Sequence, residues 1–303
     1  TFDSKRGERK MKIFAADIGG TSIKTCVTDE NGIMEFYNEV ETESNKGGPS
    51  IIRKLENIIA QYPDIDAIGI STAGQVNSEE GYIIYANDNL PNYTGTKIKD
   101  LLESKFNVPV KVENDVNAAA LGEKYYGVGK GFRDFLFLTF GTGIGGAIVI
   151  DSKLHRGFTG IAGEFGHMNH YPNGSLCGCG RRGCYEQYGS TSALIKEAKK
   201  VNSGCTNGRQ LFEMIQCGDK RLLEVFDNWT NEVALGIAGL IHIFNPPCVI
   251  LGGGIMEQDL SIKFVSEKVH QQIMNSYLDV KILKPEFGNK AGLYGAISLH
   301  KFS

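Results

Sequence analysis

The stretch from Gly160 to Glu186 reads GIAGEFGHMNHYPNGSLCGCGRRGCYE and holds the densest group of chemically distinctive residues in the chain. Three of the seven cysteines, Cys177, Cys179 and Cys184, fall within eight residues of it, downstream of His167. Three thiolates and one imidazole are donors that tetrahedral Zn²⁺ prefers. The spacing therefore predicts a structural zinc site with these four side chains as ligands.

Two other interpretations of these cysteines stay open. Buried free thiols need no metal, and disulfides need an oxidising compartment, which nothing in the sequence indicates. Cys177 and Cys179 are also too close in sequence to pair easily. We prefer His167 to His170 as the fourth ligand, because His170 belongs to a Tyr-Pro-Asn-Gly turn and is expected to be exposed.

Two carboxylates flank the predicted ligands. Glu164 precedes His167 by three residues, and Glu186 follows Cys184 by two. Closure of the loop around a metal should bring both acids into one neighbourhood, and acceptors held in fixed directions suit the hydroxyl groups of a polyol. The alternative is that both acids are solvated loop residues.

Length and charge limit the class of protein. The chain has 303 residues, 32 basic and 35 acidic side chains and a formal net charge of -3. Its length predicts two domains, its charge gives no case for nucleic-acid binding, and no apolar run approaches the ~18–20 residues of a membrane span. Residues 1–10 are expected to be a disordered leader or expression remnant. Without a signal-peptide pattern, and with an odd number of cysteines, a cytoplasmic location is expected.

Two segments of the chain share a strand–loop–strand pattern. In the first, a strand over 12–17 ends at Asp17, the loop Ile18-Gly19-Gly20-Thr21 follows, and two further strands reach residue 40. Glycines let backbone N–H groups approach an anion, and Asp17 could reach Mg²⁺ through water. An ordinary hairpin corner, which needs no ligand, is the alternative.

The second segment has the denser loop, Gly141-Thr142-Gly143-Ile144-Gly145-Gly146, after a strand over 135–140. Four glycines in six residues lose backbone entropy that a plain hairpin would keep, so we favour ligand contact. The repetition predicts two related halves that face each other across a cleft. A third glycine run, Gly252–Gly254, follows a buried strand and could hold a nucleoside, unless it is only a tight turn.

A polar run, Glu113-Asn114-Asp115, separates a buried strand over 108–112 from a helix. Asp115 could be no more than the N-cap of that helix. The carboxyl end of a strand is also where open α/β sheets bind ligands, and an ionised carboxylate there could accept the proton of a hydroxyl that attacks phosphorus. Periodicity elsewhere predicts a helix capped by Thr96 and a long helix, 222–244, with Trp229 in the core.

Taken together, these motifs resemble the ROK family of bacterial sugar kinases and related repressors. The resemblance covers Met11 to about residue 300 and rests on five segments: Asp17–Thr21, Glu113–Glu123, Gly141–Gly146, Gly160–His167 and Cys177–Glu186. It implies an actin-like (ribonuclease H-like) ATPase fold in which two α/β domains flank a cleft that binds ATP and Mg²⁺. We expect one domain over 11–118 with the last helix at about 290–303, and a larger one over 119–289. The larger one contains the predicted zinc-binding stretch, residues 160–186, which we name the zinc loop.

The resemblance also implies roles for individual residues. Asp115 resembles the catalytic base. Residues that resemble the sugar-binding set are Gly74, Asn114, Asp115, Glu164, His167 and Glu186. Those that resemble the nucleotide-binding set are Asp17, Gly19, Gly20, Thr21, Lys24, Gly141, Thr142, Gly143, Gly253 and Gly254. His167 would serve both zinc and sugar, one with each ring nitrogen.

The implied activity is phosphorylation of the 6-hydroxyl of a hexose by ATP, with glucose as the first choice. An N-acetylmannosamine kinase and a β-glucoside kinase are alternatives. Many N-acetylmannosamine kinases carry a basic residue where this chain has Gln75, which makes that alternative weaker without excluding it. A non-catalytic sugar sensor is the alternative from another class. The family's repressors carry a helix-turn-helix segment first, and the first strand here starts close to Met11, which favours a kinase. A homodimer is expected, as in many relatives.

Overall fold

The computed structural model describes residues 11–29 and 32–301. The expected leader at 1–10 and residues 30 and 31 of the first predicted turn lie outside the described residues. The chain divides into two compact units: Thr1–Tyr126 with Thr159–Ile161 and Lys290–Ser303, and Gly127–Phe158 with Ala162–Asn289. Each unit is described separately below, for its described residues.

The described residues form twelve strands and nine α-helices. The strands are β1 (Lys12–Ile18), β2 (Ser22–Asp29), β3 (Met34–Glu41), β4 (Ala67–Thr72), β5 (Gln75–Asn77), β6 (Tyr82–Tyr85), β7 (Val110–Asn114), β8 (Phe135–Phe140), β9 (Ile144–Ile150), β10 (Lys153–Leu154), β11 (Cys248–Gly252) and β12 (Lys281–Leu283). The helices are α1 (Gly48–Ile59), α2 (Ile98–Phe106), α3 (Asp115–Tyr125), α4 (Glu186–Gly189), α5 (Thr191–Val201), α6 (Gly208–Gln216), α7 (Lys220–Phe244), α8 (Asp259–Gln272) and α9 (Ala291–Ser298).

The two units contain five-stranded sheets with the same topology. The first sheet has the order β3-β2-β1-β4-β7 and the second β10-β9-β8-β11-β12. In each, the first three strands are antiparallel and the last two are added in parallel. Each glycine loop joins the central strand to its antiparallel neighbour, β1 to β2 and β8 to β9. The predicted relation between two halves is therefore confirmed at the level of topology.

The core of the first unit packs its central strands between helices. β4 is buried along its whole length, and the apolar face of α1, including Ile51 and Leu55, packs in the same cluster as β1. On the other side, α3 and α9 approach so closely that a Cβ at Gly295 would lie 1.8 Å from the Ala118 carbonyl oxygen. This close packing keeps all of α3 in the first unit, so the units divide after Tyr126 and not at the expected 118.

The second unit is built around α7. Trp229 is 4% exposed, and its indole N–H donates to the carbonyl oxygens of Gly189 and Ser190, both at 3.0 Å. The prediction that this residue belongs to the core is confirmed. Tyr185, fully buried, donates its hydroxyl to the Val233 carbonyl at 2.6 Å. These bonds attach the segment just after the zinc-loop cysteines to the longest helix.

One local prediction is wrong, and one local feature was not predicted. The predicted cap at Thr96 is wrong: α2 begins at Ile98 after Lys97, with no side-chain capping bond. The sequence also shows no clear signal for the β5–β6 hairpin, because β5 has only three residues. None of the helices that the structure describes combines the length and apolar composition that a membrane span requires.

Candidate active site and metal centre

Asp17 lies at the carboxyl end of β1, as predicted. Its Oδ1 accepts a hydrogen bond from the Ser71 hydroxyl at 2.7 Å, and its Oδ2 lies 3.8 Å from Lys24 Nζ. The antiparallel register pairs Asp17 with Lys24, which explains why the lysine faces this carboxylate. Burial raises the pKa of Asp17, while Ser71 and Lys24 act in the opposite direction. The result is a nearly enclosed carboxylate beside a glycine loop.

Asn114 is the residue that caps α3. Its Oδ1 accepts from the backbone N–H groups of Val116 at 2.9 Å and Asn117 at 3.1 Å. Its Nδ2 donates to the Gly74 carbonyl and to Asp115 Oδ1, both at 2.9 Å. These four bonds use the hydrogen-bonding capacity of the amide. Asn114 therefore fixes Gly74 and Asp115, and a sugar hydroxyl would have to replace one of these bonds.

Asp115 is consequently the first residue of α3 and not its N-cap. Its Oδ1 also accepts from the Val116 N–H at 2.9 Å. Burial and the nearby charge of Asp17 raise the pKa of Asp115 to about 7. A carboxyl group with such a pKa can take up and release a proton near neutral pH.

The four predicted zinc ligands lie together in the second unit. One ligand atom from each of His167, Cys177, Cys179 and Cys184 lies within 4.8 Å of the others. The sulfur atoms of Cys179 and Cys184 are 3.6 Å apart, and Cys177 Sγ is 3.8 Å from His167 Nδ1. A zinc–sulfur bond of about 2.3 Å in a tetrahedron gives sulfur–sulfur edges of about 3.8 Å. The residues present therefore fit a zinc ion.

The two acids of the zinc loop flank the His167 imidazole. His167 Nδ1 is 3.9 Å from Glu186 Oε1 and faces the cysteines, whereas Nε2 is 4.0 Å from Glu164 Oε2. The side chains of Glu164 and His167 are 44% and 40% exposed, so a ligand can reach them. One ring nitrogen thus points at the metal position and the other at an accessible carboxylate.

The expectation that His170 is exposed is wrong. Its side chain is 5% exposed, and Nε2 lies 2.9 Å from Glu232 Oε2 on α7. The rings of Tyr171, Tyr185 and Tyr188 lie around the imidazole, with centroid distances of 4.8, 5.0 and 5.7 Å. His170, which the sequence places in an exposed turn, therefore attaches the zinc loop to α7.

A cavity of about 1190 Å³ lies in the second unit beside the predicted nucleotide-binding glycines. Gly141, Thr142 and Gly254, which belong to two of the three glycine runs, line it. Thr191, at the start of α5, holds the Gly141 end of the loop: its N–H donates to the Gly141 carbonyl and its hydroxyl to the Phe140 carbonyl, both at 3.0 Å. The apolar side chains of Ile195, Phe212 and Ile255 complete a wall suited to a flat base.

Three cations on this cavity were missed in the sequence. They are Lys196, Lys199 and Arg209, all exposed, and none of them forms an ion pair within the described part of the chain. Two lie three residues apart on α5 and so share a helix face, a signal that periodicity could have provided. Unpaired positive charge beside a glycine loop suits an anionic ligand.

The chain matches a family model along nearly its whole length, over residues 13–302, and that model describes the ROK family. The chain belongs to the ROK family. A glucokinase of Thermotoga maritima is 33% identical over 96% of this chain and 98% of its own length. A xylose repressor of Bacillus subtilis is 30% identical over 93% of this chain and 75% of the repressor.

Solved structures support the same assignment. A ROK family glucokinase of Streptomyces griseus, crystallised with glucose and AMPPNP, superposes with a TM-score of 0.84 at 32% identity, covering 95% of this chain and 98% of the glucokinase. The fold of this ROK protein is the actin-like ATPase fold, with two α/β units, as the resemblance implied. Sugar kinases and repressors both occur among its relatives.

The predicted site residues of the ROK chain lie in both units. In the first unit, Asn114 bonds to both Gly74 and Asp115, and Lys24 lies beside Asp17. In the second, the zinc loop carries Glu164, His167 and Glu186, and a cavity carries Gly141, Thr142 and Gly254. Gly19 and Thr21 fall in the β1–β2 corner, where the Gly19 N–H donates to the Ser22 carbonyl at 3.0 Å.

Proposed function

We propose that this ROK protein transfers the γ-phosphoryl group of ATP to the 6-hydroxyl of a hexose, with glucose as the preferred acceptor. The observation that carries the proposal is Asp115, a carboxyl group at a strand's carboxyl end whose pKa is raised to about 7. Phosphoryl transfer needs alignment, charge neutralisation and a group that accepts the hydroxyl proton. Asp115 supplies the last of these.

The acceptor sugar is assigned to Glu164, His167 and Glu186 together with Asn114 and Asp115. Carboxylates accept hydrogen bonds from hydroxyl groups, and the Nε2 of His167, on the side of Glu164, can donate or accept one. Loss of the 6-hydroxyl proton to Asp115 leaves the oxygen with the electron pair that attacks phosphorus. The bond from that phosphorus to the bridging oxygen breaks, and ADP leaves.

The donor is assigned to the glycine loops and to the cavity of about 1190 Å³ in the second unit. Backbone N–H groups at Gly20, Thr142 and Gly143 suit phosphate oxygens, whereas those of Gly19 and Gly141 donate to carbonyl groups within their own loops. Gly253 and Gly254 are assigned to the nucleoside, and a Cβ on Gly254 would meet nothing within 4 Å. Asp17 would hold Mg²⁺ through water, and the ion would neutralise phosphate charge. The exposed cations of α5 and α6 add positive charge at the cavity wall.

Zinc in this proposal is structural. His167, Cys177, Cys179 and Cys184 would hold it, and the ion would stiffen the loop that presents the sugar-binding acids. Unpaired cysteines are typical of a reducing compartment, so a cytoplasmic location forms part of the proposal. A homodimer is proposed from the resemblance to the family alone.

A sugar-sensing protein without activity is the second candidate, favoured by the similarity to the xylose repressor. The two candidates differ in a coupled assay of ADP formation with MgATP and a panel of glucose, N-acetylmannosamine, N-acetylglucosamine, fructose and cellobiose. A kinase forms ADP in proportion to the phosphorylated sugar, with glucose giving the highest kcat/KM. Sugar binding without sugar-dependent ADP formation would overturn the kinase proposal and support the sensor.

A further inference from the structure

Glu113 is a buried acid next to the candidate catalytic residues, and the reaction proposed above gives it no role. It lies in β7, one residue before Asn114, and is 1% exposed. Its carboxyl group is therefore out of reach of a bound sugar. Burial of a carboxyl group is costly unless its oxygens accept hydrogen bonds, so the partners of Glu113 indicate what it does.

One oxygen of Glu113 accepts two hydrogen bonds from the segment that starts α3. Glu113 Oε1 accepts from the Asn114 N–H at 3.0 Å and from Asn117 Nδ2 at 3.1 Å. Asn117, itself 6% exposed, donates its backbone N–H to Asn114 Oδ1 at 3.1 Å. These three residues thus form a closed ring of hydrogen bonds around the N-cap of α3.

We infer that Glu113 is a positioning residue, which acts on phosphoryl transfer through Asn114 and Asp115. Its Oε1 holds Asn114 at the backbone N–H and, through Asn117, at the side-chain oxygen. The Asn114 amide is thereby held in the orientation in which its Nδ2 donates to Asp115 Oδ1 at 2.9 Å. Without Glu113 the amide can turn, and Asp115 loses a bond that directs its carboxyl group. The inference rests on the proposed role of Asp115 as the base.

A purely structural role for Glu113 is the alternative. Glu113 lies beside Ser71 of β4 in the parallel register, and loss of its buried hydrogen bonds lowers the free energy of unfolding whatever the residue does in the reaction. The two roles differ in how a substitution at 113 combines with one at 115. Positioning acts through the base and has no further effect once the base is absent, whereas a structural defect lowers the rate in either background.

The test is a double-mutant cycle with Glu113→Ala and Asp115→Asn in the full-length protein, measured as glucose-dependent ADP formation at saturating MgATP. Glu113→Ala alone should lower kcat roughly 30-fold, because a small misplacement of the base is sufficient for a loss of that size. In the Asp115→Asn background the same change should lower the residual rate by less than about twofold. Glu113→Gln, whose amide oxygen can accept both bonds, should restore kcat to within about fivefold of the wild type.

Glu103 provides the matched control. Its Oε1 accepts from the Val110 N–H of the same strand at 3.0 Å and has no printed bond to the ring around Asn114. Glu103→Ala therefore removes a bond between a carboxyl group and β7, and should lower Tm while kcat stays within about twofold of the wild type. Asn117→Ala removes one of the two bonds to Glu113 Oε1 and repeats the cycle with Asp115→Asn if Glu113→Ala does not fold.

The inference is overturned if Glu113→Ala lowers the rate by the same factor in both backgrounds, or if it leaves kcat within about twofold of the wild type. If the wild-type protein forms no ADP with any sugar of the panel, the proposed function fails, and amide hydrogen exchange still tests the positioning. Exchange at the Asn114 and Asn117 N–H groups should then be at least about tenfold faster in Glu113→Ala than in Glu103→Ala. Equal exchange in the two variants would overturn the inference independently of the activity.

Discussion

The carboxyl group of Asp115 is subject to two opposing influences. Burial and the charge of Asp17 favour its protonated form, whereas hydrogen bonds from the Val116 N–H and the Asn114 amide favour the ionised form. The outcome, a pKa of about 7, places the group where it can take a proton from a sugar hydroxyl without being permanently protonated. Asn114 fixes its orientation, so the sequence Asn114-Asp115 works as one unit.

Replacement of Asp115 by asparagine tests its role as a base. The amide keeps the size of the side chain and cannot accept the proton, so Asp115→Asn should lower kcat by at least about 100-fold, or about 2.7 kcal/mol of barrier, with glucose affinity largely kept. Steady-state kinetics together with calorimetry provide both quantities. Near-normal kcat in the variant would show that another group accepts the proton.

The pH dependence of the wild-type reaction follows from the same pKa. The base must be ionised, so kcat/KM for the sugar should fall about tenfold per pH unit below about 7 and level off above it. Removing the Asp17 charge in Asp17→Asn should lower the pKa of Asp115 and move the profile to lower pH, whatever the loss of activity. A profile in the variant that is not displaced would exclude this electrostatic coupling.

The zinc loop is the element in which ligands and anchors are interleaved. Within residues 160–186, the proposed zinc ligands are interspersed with His170 and Tyr185, which attach the loop to α7. Because the loop has little regular structure of its own, its shape depends on these two sets of contacts. The first set is expected to need metal, and the second is not.

Substitution of one cysteine tests the metal contribution. Cys179→Ser should lose most of its zinc and bind glucose more weakly, because the acids are then no longer held in place. Cys217→Ser, at an exposed cysteine outside the cluster, is the matched control and should retain both properties. Zinc content by elemental analysis and glucose affinity by calorimetry are the measurements. Full zinc occupancy in Cys179→Ser would contradict the proposed ligand set.

Removal of the His170 anchor tests the second set. His170→Ala removes the imidazole from Glu232 Oε2 and leaves only the Tyr171 hydroxyl on Oε1, so it should destabilise the protein by about 1–3 kcal/mol, a fall of a few degrees in Tm. His155→Ala, at an exposed histidine, serves as the control. Thermal unfolding of the zinc-loaded proteins gives the comparison. Equal Tm values for the two variants would refute the anchoring role.

At the scale of the whole molecule, the sequence predicted what short-range patterns encode. Apolar strands such as 135–140 and their glycine loops define both sheets, and Cys177, Cys179 and Cys184 lie close enough in sequence to predict their meeting in space. Gly141 and Gly254, which the sequence analysis assigned to nucleotide binding, both line the cavity of the second unit. Each of these features depends on residues that are close together in the sequence, or on a strand–loop–strand pattern that occurs twice in it.

The features that escaped prediction depend on distant partners. His170 is buried because of Glu232, 62 residues away, and a local turn pattern predicts only exposure. The Glu186 carboxylate lies beside Gly143, and a glycine run does not indicate which side chain fills the space next to it. In both cases the deciding contact is made by a residue of another element.

The most direct test of the account is the rate of ADP formation by the zinc-loaded wild-type protein with MgATP, with and without glucose, beside Asp115→Asn. The account predicts glucose-dependent ADP formation, hexose 6-phosphate as the product in equal amount, and loss of at least about 99% of the rate in the variant. Absence of ADP formation with glucose and with every other sugar of the panel, from a protein that binds sugar and nucleotide, would contradict it.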